Sequence, residues 1–71
     1  MNYEEVYDLI QEMVDKLNHR GQVTKVFKRE DYHDIFCILN NYESVMADRK
    51  VHVKVNVQHG VVTVSFRRHG F

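Results

Sequence analysis

From Val51 to Phe66 the chain repeats with a period of two, and no other feature narrows its fold so far. Val51, Val53, Val55 and Val57 alternate with His52, Lys54, Asn56 and Gln58, and Val62, Val64 and Phe66 alternate with Thr63, Ser65 and Arg67. Successive side chains of a strand point to opposite faces, so each segment reads as a half-buried strand. A two-residue turn at His59-Gly60 pairs Val57 with Val62, Val55 with Val64 and Val53 with Phe66. All six apolar side chains then share one face, as a correct register demands. Gly60 supplies one of the positive φ angles that a type I′ turn needs.

The other end of the chain has helical periodicity. Tyr3, Val6, Tyr7, Leu9, Ile10, Met13, Val14 and Leu17 line one side of a helix predicted over 3–20. Asn2 is placed to cap it, Glu5 to complete a capping box, and Gly21 to stop it as a C′ residue in the left-handed conformation. Between the two ends, 22–29 and 33–39 read as another hairpin turning near Glu30-Asp31. The segment 40–49 reads as a loop with room for one helical turn at 44–48. Ile35-Phe36-Cys37-Ile38-Leu39 is apolar on both strand faces, which fits a central or doubly covered strand. The expected fold is therefore α+β in the order α-β-β-β-β, an N-terminal helix packed on a four-stranded, mainly antiparallel sheet. One helix cannot cover both faces of such a sheet. Either Phe36 and Ile38, or Ile35, Cys37 and Leu39, would stay exposed without a second subunit, so a homodimer through that face is expected.

Seventy-one residues make one domain, 1–71, with one small core. Proline is absent and glycine occurs three times, which leaves no linker. No stretch approaches the ~18 apolar residues of a membrane span, and the chain opens on an acidic helix rather than a signal peptide. A single cysteine, Cys37, excludes an internal disulfide framework, so the chain reads as cytoplasmic. Catalytic signatures are missing. There is no glycine-rich phosphate loop and no nucleophile elbow, and Cys37 between Phe36 and Ile38 reads as an inert buried thiol. A core this small is not expected to enclose a ligand pocket of ~300 Å³. Five histidines (His19, His33, His52, His59, His69) lack the Cys-x2-Cys or His-x3-His pairs typical of tetrahedral sites. The expectation is a protein that is not an enzyme and takes no cofactor, metal or small-molecule substrate.

Charge is the more informative property. The formal net charge is zero, yet residues 1–18 carry five acids and one Lys, and residues 19–71 carry nine Lys and Arg against five acids. The molecule is a dipole, and its neutral isoelectric point says little about its partners. In the first helix Glu4, Glu5, Asp8, Glu12 and Asp15 fall within roughly 100° of arc. Amphipathicity alone puts polar residues there, but not residues of one sign. The helix dipole favours Glu4 and Glu5 only, and Glu4–Asp8 and Asp8–Glu12 repel at i,i+4 spacing, offset in part by Lys16. From Glu4 to Asp15 the helix rises about 16 Å, which spaces five charges at roughly 4 Å. A DNA strand presents a phosphate every ~3.4 Å of axis. These five acids are the candidate surface for a basic protein partner.

That acidic helix, with the small size, the helix-on-sheet layout and the lack of a catalytic motif, resembles small phage-encoded DNA-mimicking inhibitors of host nucleic-acid-binding proteins. The resemblance implies a viral inhibitor whose partner is a basic protein such as a nucleoid protein of the HU type. A rival surface lies on the C-terminal hairpin. Its outer face carries His52, Lys54 and Arg67, with Arg68, Arg49 and Lys50 nearby and Lys25, Lys28 and Arg29 on the first strand. This basic face is a candidate for direct nucleic-acid binding, although the aromatic interleaving of single-strand binders is absent there. A homo-oligomeric assembly protein using an exposed apolar sheet face is the remaining alternative.

Overall fold

The computed structural model describes residues 1–69, which fold as two layers. In chain order the elements are helix α1 (Tyr3–Leu17), strand β1 (Gln22–Lys28), a 3-10 turn (Arg29–Asp31), helix α2 (Tyr32–Asp48), and strands β2 (Val51–Gln58) and β3 (Val61–Arg68).

Helix α1 starts as its capping box dictates. Asn2 Oδ1 accepts from the Glu5 N–H at 2.9 Å, and Glu5 Oε1 accepts from the Asn2 N–H at 3.2 Å. It ends at Leu17, the last residue of its apolar pattern and three residues short of the bound at 20 that Gly21 suggested, with Asn18 as the cap. Gly21 does not stop it in a left-handed conformation; among the described glycines only Gly60 has a positive φ. The chain leaves the helix through the His19 and Arg20 N–H groups, both 3.0 Å from Lys16 O. That turn closes without a left-handed residue. Gly21 instead borders the sheet, its carbonyl accepting from the Arg68 N–H at 2.9 Å.

The expected four-stranded sheet is replaced by three strands and a second helix. Residues 33–39 are not a strand, and 40–49 is not a loop with a single turn; both belong to α2. Ile35, Ile38, Leu39, Tyr42 and Met46 recur at helical spacing and form one inward stripe, with Ile35, Ile38 and Met46 buried. Phe36, which a strand would place on the same face as Ile38, lies outside that stripe and is exposed. Five consecutive apolar residues fit either period, and only the longer window to Met46 separates them. The premise for a homodimer, an apolar face on a fourth strand, disappears with that strand.

The C-terminal hairpin has the register its pattern requires, with Val57 opposite Val62, Val55 opposite Val64 and Val53 opposite Phe66. Its turn residues have φ of 54° at His59 and 78° at Gly60. Positive φ at both central positions is the type I′ geometry, whose twist matches that of the flanking strands. Strand β1 does not pair with 33–39 but with β3, antiparallel, through Phe27–Val62, Lys25–Val64 and Val23–Phe66. The sheet order is β1-β3-β2. The central place suits β3, whose Val62, Val64 and Phe66 are fully buried. Both helices pack on that face, and the core joins Val6, Ile10, Met13, Val14 and Leu17 of α1 to Phe27, the α2 stripe and the three β3 residues.

No described element covers the other sheet face. By register it presents Gln22, Thr24, Val26 and Lys28 of β1, Val61, Thr63, Ser65 and Arg67 of β3, and His52, Lys54, Asn56 and Gln58 of β2. No described helix is long and apolar enough to cross a membrane.

Candidate functional site

Secondary structure sorts the charges. All ten Asp and Glu residues lie in α1, α2 or the 3-10 turn. The strands carry Lys25, Lys28, Lys54, Arg67 and Arg68 and not one acid. Asp34, Glu43 and Asp48, read in sequence as part of a positive remainder, join the acidic layer because 32–48 is helical. The dipole therefore runs through the thickness of the molecule, from a negative helical layer to a positive sheet, and not merely along the chain.

On the helical side, Glu4, Glu5, Asp8, Glu12 and Asp15 are all exposed, opposite the buried Val6, Ile10, Met13, Val14 and Leu17. Glu12 pairs with Lys16 at 3.1 Å. That hydrogen bond and the ammonium charge hold its carboxyl below the usual value, with a weaker pull from Lys25 of β1. Asp15 Oδ1 accepts from Gln11 Nε2 at 3.3 Å, and Gln11 Oε1 accepts in turn from the Tyr42 hydroxyl of α2. Tyr3, Tyr7 and Tyr42 stand in a row, with ring centroids 6.5 and 6.4 Å apart. Burial, then the neighbouring Tyr7 hydroxyl and the Asp15 charge, push the Tyr42 hydroxyl up to about 12. One flank of the acidic stripe is thus tied to the second helix by this aromatic row.

The basic candidates do not form one group. Lys54 and Arg67 lie on the open sheet face, Arg67 directly across from His52. Arg68, the next residue, turns by alternation toward the helical side and is half-buried. Arg49 caps α2 and donates from Nη1 to Asn18 Oδ1 at 3.3 Å, while Lys50 takes the left-handed φ of 55° in the turn to β2. A surface depression of about 590 Å³, lined by residues that include His52, Lys54, Ser65, Arg67 and His69, joins Lys54 to Arg67 and also touches Arg68. The Arg49 side chain borders a different, smaller depression near Leu17 and Asn18. Lys28 belongs to the open face, whereas Lys25 points to the helical side.

Three features escaped the sequence reading. Cys37 is not in an apolar strand; it sits half-buried on α2 with its Sγ 3.7 Å from His33 Nε2. A spacing of four brings two side chains together on a helix but not on a strand, so only the helix makes this pair. No group of three or more His, Cys, Asp or Glu among the described residues is placed to hold a metal ion. Asp31 is buried, with Oδ1 3.3 Å from the Met1 ammonium and Oδ2 without a hydrogen-bond partner. Nothing in its sequence context marks it as an interior residue. Finally, the surface holds depressions larger than the ~300 Å³ thought beyond so small a core. They lie over the open sheet face and, at about 380 Å³, between Phe36 of α2 and the valines of β2, not within the core. Comparison of the chain with protein-family models, curated proteins and solved structures found no match.

Proposed function

We propose that this is a non-catalytic binding protein whose acidic α1 face, Glu4, Glu5, Asp8, Glu12 and Asp15, engages a basic protein surface and excludes nucleic acid from it. The observation that carries this reading is the sorting of charge by layer. A net charge of zero does not cancel the acidic face, because only Lys16 and, more weakly, Lys25 act on its Glu12, while Lys28, Lys54 and Arg67 lie on the far face of the sheet. With a Debye length of about 8 Å at physiological salt, a partner at the helices is largely screened from the far layer. Repulsion along the stripe is relieved when cations of a partner approach it, so the isolated helix bears a cost that binding removes. The ~4 Å spacing of its charges matches a groove built for phosphates.

The test is binding to a fluorescently labelled HU-type nucleoid protein, first without nucleic acid and then in competition with duplex DNA. Association that weakens at least tenfold on Glu12→Lys with Asp15→Lys, and that duplex DNA displaces, is expected. Association unchanged by that double reversal, or no association at 50 mM salt, refutes the proposal.

A further inference from the structure

The uncovered sheet face is a second surface, independent of the acidic helices. Its described residues are Gln22, Thr24, Val26 and Lys28, then Val61, Thr63, Ser65 and Arg67, then His52, Lys54, Asn56 and Gln58. None is acidic, and three carry a permanent positive charge: Lys28, Lys54 and Arg67. Around Lys54 the face sinks into the 590 Å³ depression that His52, Ser65, Arg67 and His69 also line. The His52 and His69 rings stand 4.1 Å apart at its edge. Beside it the Thr24 and Ser65 hydroxyls meet at 3.1 Å.

We infer that this face binds double-stranded nucleic acid through its phosphate backbone. Three properties select that occupant. The charge is of one sign, and a carboxylate-free cationic face complements a polyanion. The uncharged side chains around Lys54 and Arg67 are mainly hydroxyls and amides (Gln22, Thr24, Thr63, Ser65, Asn56), the partners that phosphates and sugars take beside Lys and Arg. Lastly, the described face offers no Phe, Tyr or Trp ring on which an unpaired base would stack, its His52 and His69 rings packing on each other at 4.1 Å, and its exposed valines, Val26 and Val61, lie away from the depression. Single-strand binders need stacking platforms, and protein interfaces need a desolvated apolar or aromatic anchor. What remains is a duplex read by charge and shape without sequence preference.

Three phosphates neutralised give a slope of about −2.7 in log K against log salt, or roughly 40-fold weaker binding on going from 50 to 200 mM. The experiment is fluorescence anisotropy of a random-sequence duplex titrated with the full chain across that range, with a single strand of the same length and a polyglutamate as competitors. Lys54→Ala is expected to lower the salt effect to roughly 12-fold, and Lys54→Glu to weaken binding further at every salt concentration. Lys54 is exposed, and unchanged circular dichroism of the variants confirms that they fold. Glu12→Lys with Asp15→Lys is expected to leave duplex binding intact or strengthen it, which separates a failure here from a failure of the acidic-face proposal. No duplex binding at 50 mM salt, a slope unchanged by Lys54→Ala, or tighter binding of the single strand or the polyglutamate overturns the inference.

Discussion

Replacing Phe36 and Ile38 by alanine, one at a time, separates a helix at this point of the chain from a strand. On a strand the two side chains share a face and lose similar amounts. On α2 they do not: Ile38 is 0% exposed in the core, whereas Phe36 is 54% exposed and its ring meets Tyr32 at a centroid distance of 6.2 Å. Truncating a fully buried isoleucine costs ~2–5 kcal/mol through lost transfer energy and the cavity left behind. Phe36 keeps roughly half its surface in water, so its truncation costs about 1 kcal/mol. At ~0.05–0.15 kcal/mol per residue the whole domain is worth about 4–11 kcal/mol. A loss of about 3 kcal/mol lowers Tm by ~12–24 °C, against ~4–8 °C for Phe36→Ala. Urea unfolding followed by far-ultraviolet circular dichroism measures both, and a changed midpoint with an unchanged slope assigns the loss to the native state. Should Ile38→Ala fail to fold, Ile38→Val, at ~0.5–1.5 kcal/mol, gives the same ordering against Phe36→Leu. Equal costs, or a larger cost at Phe36, would refute the helical assignment and the packing built on it.

The hairpin turn places a histidine at a φ of 54°, where asparagine is better tolerated, so His59→Asn raises the urea midpoint by a few tenths to about 1 kcal/mol of stability. Gly60→Ala lowers it by about 1 kcal/mol through backbone strain alone, since an added Cβ meets nothing within 4 Å. Tyr42 gives an alkaline signature. Its hydroxyl is pushed up to about 12 from 10.0, so the fold prefers the neutral form. The resulting stabilisation is complete below the ordinary value and is lost as pH rises through the raised one. Thermal melts between pH 9 and 12, with phenolate absorbance read alongside, show that loss, and Tyr42→Phe removes this step.

Legibility followed the length of each periodic signal. The C-terminal hairpin carries two alternating segments and a glycine in the turn, and its register was readable residue by residue. Helix α1 was readable from its cap, because Asn2 and Glu5 satisfy each other locally. Helix α2 was not readable: its densest apolar run, Ile35 to Leu39, includes the outward-facing Phe36 and hides the stripe that continues through Tyr42 to Met46. Asn40 and Asn41, polar residues common in turns, interrupted the pattern on the exposed side of a helix where they do no harm. The misreading carried forward. With 33–39 taken as a strand, β1 acquired the wrong neighbour and the sheet an apolar face in need of a second subunit. The five acids of α1 were fully visible in sequence. The acid-free sheet was not, since it depends on assigning Asp34 to a helix and not to a strand over 33–39.

The position of β3 between two strands that precede it has a consequence for how the chain comes to be structured. A polypeptide emerging from a ribosome presents β1, and much later β2, with no hydrogen-bonded neighbour for either, and the apolar stripes of both helices have no floor to rest on. When β3 follows, β2 meets it across two turn residues, a local closure that takes microseconds. Strand β1 must then be recruited across the whole of α2 and β2, a loop closure with a larger entropic cost. Until that moment the sheet edge and the α1 stripe are open together. Loop-closure cost thus favours assembly from the C-terminal hairpin backward, against the vectorial direction of synthesis.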